Sequence, residues 1–349
     1  MAWEKLGTAS VGGAGVANNS WKELARATVG SGGATSTTTS AFTAKENMMI
    51  LYQSFGADPY LRVGYSSIDT GSNYAQRYSE NGGSDGTHTS QSLWYANGGA
   101  GATGSEGVFG VTEGINIAAQ EKLFTLNSAD NASGTGAGTA PGRYERAMKW
   151  TNTSNQINIV RMYHSSGTMV EGSEVVVLGY NNDEADSGTN FWQELASVEL
   201  GSSGTSISSG TFTAKKYLMF ELTKEKTGGY VNPKIEFNSD TGSNYASRYS
   251  DNGGSDATST SQSNIDMRAG ENDGRSHTVG YIINKSDKEK LMISNTVNSN
   301  TEGAGNATGR AEVVGKWSNT SSQITSINFS KSASGSFNTG TTLKVYGAD

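Results

Sequence analysis

The sequence predicts an all-β chain made of two tandem antiparallel β-sandwich domains, jelly-roll-like in build. Three observations predict it. The stretch Asp-Thr-Gly-Ser-Asn-Tyr-Ala-Gln-Arg-Tyr-Ser-Glu-Asn-Gly-Gly-Ser-Asp at 69–85 returns at 240–256 with 15 of its 17 positions identical, Gln76 facing Ser247 and Glu80 facing Asp251. A polar segment that long does not recur by chance, so the chain is a duplication. Apolar residues alternate at period two in many short runs, as half-buried strands require. The 46 Gly, with only three Pro and abundant Ser, Thr and Asn, describe extended segments joined by many turns. A length of 349 residues exceeds one ordinary sandwich and suits two, each able to bury its own core.

In chain order, residues 1–17 read as an N-terminal arm or extra strand. Trp3-Glu-Lys-Leu-Gly resembles Trp21-Lys-Glu-Leu-Ala, and Gly12-Gly-Ala-Gly-Val separates the two, so one candidate opening strand is surplus. Two outcomes fit: the segment pairs with a neighbouring subunit's exposed sheet edge, or it docks locally as an added hairpin. Repeat 1 then covers 18–180 and repeat 2 covers 191–349. Between them 181–190 is polar, acidic and aperiodic, a linker. The repeats match in order: Trp21 with Trp192, Phe42-Thr-Ala-Lys with Phe212-Thr-Ala-Lys, Glu121-Lys-Leu with Glu289-Lys-Leu, and Lys149-Trp150 with Lys316-Trp317. Asn152-Thr-Ser-Asn-Gln-Ile also faces Asn319-Thr-Ser-Ser-Gln-Ile. In repeat 2, strands are expected at Trp192 and over 217–222, 234–237, 263–267, 278–283, 291–296, 311–317, 324–329 and 343–346. Lys285-Ser-Asp-Lys makes a hairpin turn between two of them. The repeated stretch itself reads as a long, turn-rich loop.

The charge of -7 carries no basic run, which argues against nucleic acid or an anionic membrane surface as partner. With no Cys, disulfides, thiolate metal sites and cysteine nucleophiles are excluded. No apolar run is long enough to insert in a bilayer. The start Met1-Ala-Trp-Glu lacks the order of a secretion signal, so either the protein is assembled in a cytoplasm or a signal has been removed, and Met1 favours the first.

Candidate chemistry is sparse. Asp69, Asn73, Glu80 and Asp85, with Asp240, Asn244, Asp251 and Asp256 in the second copy, supply oxygen atoms of the kind calcium takes, but their spacing fits neither the EF-hand nor the nonapeptide calcium repeat. Asp, Asn and Gly are also what turns need, so Asp69 and Asp240 are expected to close Asx turns and Asn81-Gly-Gly and Asn252-Gly-Gly to reverse the chain. Tyr74, Arg77, Tyr78, Tyr245, Arg248 and Tyr249 suit packing of the loop, and equally a ligand or partner contact with a sugar or protein. His88, His164 and His277 are unrepeated and form no metal spacing or nucleophile elbow, so no catalytic residue and no cofactor is predicted. Gly315-Lys-Trp317 lacks the Ser/Thr and helix of a phosphate loop. The repeated tryptophans are expected to anchor cores.

The string Trp-x-x-Leu, Phe-Thr-Ala-Lys, Asp-Thr-Gly-Ser-Asn-Tyr-Ala-x-Arg-Tyr-Ser-x-Asn-Gly-Gly, Glu-Lys-Leu, Lys-Trp-x-Asn-Thr-Ser-x-Gln-Ile, with a closing Val-x-Gly, resembles a module of structural proteins of marine tailed viruses, single or in tandem. The resemblance covers nearly all of both repeats and carries no functional residues with it. It implies a non-enzymatic virion surface protein, a head decoration, fibre or tail component, made in the host cytoplasm. Its partners would be capsid or tail proteins and further copies of itself, a trimer by analogy with such particles. The alternative is a secreted adhesin or carbohydrate-binding module using the repeated Tyr and Arg residues. An enzyme would need converging carboxylates or a triad, and duplication of the scaffold without duplicated His argues against it.

Overall fold

The structure, a computed structural model, describes residues 20–97, 107–131, 134–182, 190–225, 231–268, 274–299, 303–332 and 335–349. The expected arm at 1–17 and most of the expected linker lie outside the described residues. Every regular element among those described is a strand. The chain divides into two compact units: unit 1 is Met1–Glu80, Ser84–Ser128 and Tyr144–Phe191, and unit 2 is Asn81–Gly83, Ala129–Arg143 and Trp192–Asp349. Two short pieces of the first repeat's sequence thus belong to unit 2.

Unit 1 carries β1 (Lys22–Thr28), β2 (Ser36–Thr38), β3 (Asn47–Phe55), β4 (Tyr60–Tyr65), β5 (Ser67–Ile68), β6 (Tyr74–Glu80), β7 (Gly86–Gln91), β8 (Trp94–Tyr95), β9 (Gly107–Ile115), β10 (Lys122–Asp130), β11 (Gly142–Trp150), β12 (Ile159–Tyr163) and β13 (Glu174–Tyr180). They form an eight-stranded sheet in the order β1-β13-β3-β9-β10-β11-β6-β7 and a five-stranded sheet β2-β12-β4-β5 with β8 also on β4. Unit 2 carries β14 (Gln193–Glu199), β15 (Ser206–Ser208), β16 (Tyr217–Lys224), β17 (Pro233–Phe237), β18 (Tyr245–Asp251), β19 (Ala257–Gln262), β20 (Ile265–Asp266), β21 (Ser276–Ile283), β22 (Lys290–Asn298), β23 (Gly309–Trp317), β24 (Ile327–Lys331) and β25 (Thr342–Ala348). Its sheets repeat the plan, β14-β25-β16-β21-β22-β23-β18-β19 over β15-β24-β17-β20.

The chain is all-β, in two antiparallel sandwiches. In unit 2 the core joins Phe220, Met292, Val313 and Trp317 of the large sheet to Ile235, Ile327 and Phe329 of the small one. Fully burying each such side chain is worth about 1.5–3 kcal/mol. Ile327 and Phe329 are buried on one side of β24 and Leu343 and Val345 on one side of β25, as alternation predicts. The Lys-Ser-Asp-Lys turn joins β21 to β22, pairing Ile283 with Leu291.

One expectation is corrected. Residues 74–91 and 245–262 are not a loop excursion but strand pairs, β6 with β7 and β18 with β19, each closing one edge of its large sheet. The segments read as turns because polar residues fill inward positions: Gln76 and Ser247 are buried where apolar residues would signal a strand. The reversal itself is as expected, with Asn81 and Gly82, and Asn252 and Gly253, all at positive φ.

Candidate functional site

The repeated stretch begins with a corner that each unit builds identically. In unit 1 the Gly71 amide donates to Asp69 Oδ1 at 2.8 Å, the expected Asx turn. Asp69 Oδ2 accepts from Asn73 Nδ2 at 2.9 Å and from Trp150 Nε1 at 2.8 Å. The Tyr74 hydroxyl lies 2.8 and 2.9 Å from the Val63 and Asp69 carbonyls and accepts the Val63 amide. In unit 2 Gly242, Asn244 and Trp317 donate to Asp240, and the Tyr245 hydroxyl serves Phe237 and Asp240 in the same way. Burial pushes both tyrosines well above the ordinary phenol range. For Asp240, burial works to raise the pKa, but the bonds from Trp317, Asn244 and Gly242 outweigh it and hold the carboxyl below its usual value.

The other repeated motifs are used in the same manner. Lys122 and Lys290 are buried: the Lys122 ammonium donates to the Gln120 and Asn152 carbonyls, and that of Lys290 to Lys288 and Asn319. Desolvation lowers both pKa values, that of Lys290 to about 8. Asn152 and Asn319 each take two following amides on the side-chain oxygen. Gln156 and Gln323 donate to the Asn116 and Asn284 carbonyls. Trp150, Trp192 and Trp317 are buried, whereas Trp21 is half-buried against the edge of Tyr180.

Of the expected contact residues, Tyr74 and Tyr245 are buried in their corners, out of a ligand's reach. Tyr78 stacks on His88 at 4.8 Å, His88 stacks on Tyr95 at 4.5 Å, and the Arg146 guanidinium sits 5.0 Å from the Tyr78 ring while bonding Glu80. In unit 2 the cation over the matching Tyr249 is Arg268, at 4.1 Å, and it bonds Asp251. Val313 stands where unit 1 has Arg146, and Arg268 stands where unit 1 has Asn97. The same Tyr-cation-carboxylate cluster is thus reached from different strands, which accounts for Glu80 facing Asp251. His164 accepts the Ser166 amide, and His277 lies 3.1 Å from Thr223 Oγ1. Asp85 lies 3.5 Å from Arg77 with both side chains exposed, while Asp256 takes the Arg143 guanidinium at 2.6 and 3.1 Å with both nearly buried. Among the described residues no group of three or more His, Cys, Asp or Glu is placed to hold a metal ion, and no helix is long and apolar enough to cross a membrane.

The units differ most on the outer face of the large sheet. In unit 1 this face, over β6, β7, β9, β10 and β11, forms an open groove of about 620 Å³ lined by Ala75, Arg77, Thr87, Leu123 and Lys149 among others. Leu123 is 51% exposed, and Lys149 pairs with Glu121 at 3.1 Å with both side chains about two-fifths exposed, 41% and 42%. In unit 2 the matching Leu291 is 2% exposed, and Lys316 and Glu289 are 0% and 6% exposed. Among the described residues, what covers them is Asn131 with the segment 134–141. Glu289 accepts from Asn131 Nδ2 and the Gly136 amide, and Lys316 donates to the Gly134 carbonyl. The Ser261 amide meets the Ala137 carbonyl at 2.7 Å, and Arg248 Nε meets that of Pro141 at 2.9 Å. Gly82 completes the fit: at φ +70° a Cβ there would sit 2.7 Å from the Asp256 amide nitrogen.

Sequence reasoning passed over this face. Its signal is Gly136-Ala-Gly-Thr-Ala-Pro-Gly-Arg143 against Gly303-Ala-Gly-Asn-Ala-Thr-Gly-Arg310, six of eight positions identical in a segment that the apolar pattern marks only as loop.

No family model and no curated protein sequence matches the chain. Among solved structures it is similar to the LG1-3 region of the laminin α2 chain, at 9% identity and TM-score 0.20 over 93% of this chain, and spans 64% of that chain's length. It is similar also to domains LG4-5 of mouse laminin α1, at 11% identity and TM-score 0.19, covering 97% of this chain and 93% of that one.

Proposed function

We propose that this chain is a non-enzymatic structural protein of a virion's exterior, a head decoration, fibre or tail component, assembled in the host cytoplasm from tandem β-sandwich modules. Its partners are capsid or tail proteins and further copies of itself. Support comes from the resemblance of the motif string to modules of tailed-virus structural proteins and from the use to which the string is put. Asp69, Tyr74 and Trp150, and Asp240, Tyr245 and Trp317, spend their polar atoms on one another and on the backbone. A module kept for its scaffold fits a building block better than a catalyst. The tyrosines that an adhesin reading requires are committed to corners and to the His88 and Arg268 stacks.

The test is to purify particles by density gradient, identify their proteins by mass spectrometry and label them with an antibody to this chain. Stoichiometric, surface-accessible label on the particle is expected. Absence from particles, with glycan-array binding lost on Arg77→Ala, overturns the proposal in favour of a sugar-binding module.

A further inference from the structure

We infer that the open groove of unit 1 is the receptor for residues 303–310 of a second copy of this chain, joining copies head to tail. The inference rests on reading the chain as an assembly module, and it names the partner and the contact.

Unit 2 supplies the template. There, Asn131, Gly134, Gly136 and Arg143 meet the outer sheet face and satisfy its charges. Unit 1 presents the same face with the same residues: Glu121, Lys149, Leu123, Arg77 and Asp85 match Glu289, Lys316, Leu291, Arg248 and Asp256. The segment that matches the occupant is Gly303–Arg310: 303–308 are exposed, and Arg310, whose backbone lies at the start of β23, keeps a side chain 60% exposed. Among the described residues, receptor and occupant are both present, both exposed, and carried on different units.

The contacts carry over one by one. Arg310 of the second copy takes Asp85, as Arg143 takes Asp256. The Gly303 amide donates to Glu121, as Gly136 does to Glu289. The Ser90 amide, held at φ 52° like Ser261, donates to the Ala304 carbonyl. Arg77 Nε donates to the Thr308 carbonyl, as Arg248 does to that of Pro141, and because a carbonyl is read the change from Pro to Thr is tolerated. Leu123 loses the exposure that Leu291 has already lost. Arg77 and Asp85 now form an exposed pair at 3.5 Å, and Arg310 reaches from solvent to the mostly buried Glu312 at 2.7 Å; docking brings Arg310 and Asp85 into a desolvated set.

Because receptor and occupant are different surfaces, each copy that binds leaves one of each unused. Such a heterologous contact grows into an open filament or closes as a ring when the rotation allows. Shielding of the Arg310–Asp85 pair makes association weaken with salt.

The test uses the full chain in sedimentation velocity over a range of concentration and salt, with Asp85→Arg, Arg310→Asp and an equimolar mixture of the two. Wild type is expected to form concentration-dependent species beyond the monomer. Either single variant is expected to weaken association by about a hundred-fold or more while circular dichroism shows the fold kept. The mixture restores assembly, since each variant's altered surface meets its complement and each unaltered surface meets an unaltered one. Wild type that stays monomeric at millimolar concentration overturns the inference. So does assembly that the charge reversals leave intact, or that deletion of residues 1–17 abolishes while Asp85→Arg does not. Particle labelling is independent of this experiment, so failure here with label on the virion removes the head-to-tail contact and leaves the structural role standing.

Discussion

Asp85 and Asp256 occupy the same position of the repeat, and their replacement by Ala is expected to have opposite weight. Asp256 holds Arg143 through two bonds, at 2.6 and 3.1 Å, with side chains only 2% and 6% exposed. Removing it leaves the guanidinium in a nearly dry setting without its counter-charge, and breaking a buried pair in this way costs about 3–5 kcal/mol. Asp85 stands 3.5 Å from Arg77 with side chains 56% and 61% exposed, where water and salt already screen the charges, and its loss is confined to about 0–1 kcal/mol. For a unit of this size each kcal/mol moves Tm by about 2–4 °C, so Asp256→Ala lowers the melting of unit 2 by roughly 6–20 °C. Differential scanning calorimetry follows the transition. Amide hydrogen exchange then localises the loss to β18, β19 and β23, the strands that carry the pair's neighbourhood. Equal shifts for the two variants, or a shift under about 2 °C for Asp256→Ala, would refute the claim that Ala129–Arg143 buries this charge.

Three further outcomes are expected. Tyr74 and Tyr245 have folded pKa values raised by burial above an unfolded value of about 10, so the fold keeps protons the unfolded chain gives up; their stabilisation is complete below pH 10 and is lost as pH rises beyond it. Each adds about 1.4 kcal/mol per pH unit to the alkaline slope, and Tyr245→Phe should flatten the urea-measured slope between pH 10 and 11.5 by that amount while lowering stability at neutral pH. Asp240 has the opposite sign: its depressed folded pKa contributes stability that is present above pH 4 and lost as pH falls through the folded value, so Asp240→Asn should weaken the protein at pH 7 and blunt its acid unfolding. The carboxylates of Asp69 and Asp240 are filled by protein donors, so chelator or added calcium should leave Tm unmoved, and a rise with calcium would show a site these donors do not explain.

The sandwich class, the hairpin of β21 and β22 and the corners at Asp69 and Asp240 were legible because each has a local signature: alternation, a four-residue polar turn, an Asp two residues before Gly. The strands β6, β7, β18 and β19 were not, because sheet-edge segments with Ser, Thr and Gln facing inward lose the apolar period on which strand reading depends. Among the expected contact residues, Tyr74 and Tyr245 look no different in sequence from Tyr78 and Tyr249. Only the fold shows that the first pair points inward under β11 or β23 while the second lies beside a cation.

Local identity also hides the largest difference between the repeats. Leu123 and Leu291 follow the same Glu-Lys pair, lie on corresponding strands and point the same way, yet one is half in water and the other dry. The difference comes from chain that lies outside the compared motif, since Ala129–Arg143 is counted with unit 2 by its contacts and with repeat 1 by its sequence. Here the connecting segment fills the face of unit 2, while among the described residues the matching face of unit 1 is open and the matching segment 303–308 is exposed. Asp85, Glu121 and Arg310 stand at repeated positions with side chains well exposed, at 56%, 42% and 60%, each in an ion pair within its own unit. Their exposure leaves them placed to meet, on another copy, the complements that Asp256, Glu289 and Arg143 meet within unit 2.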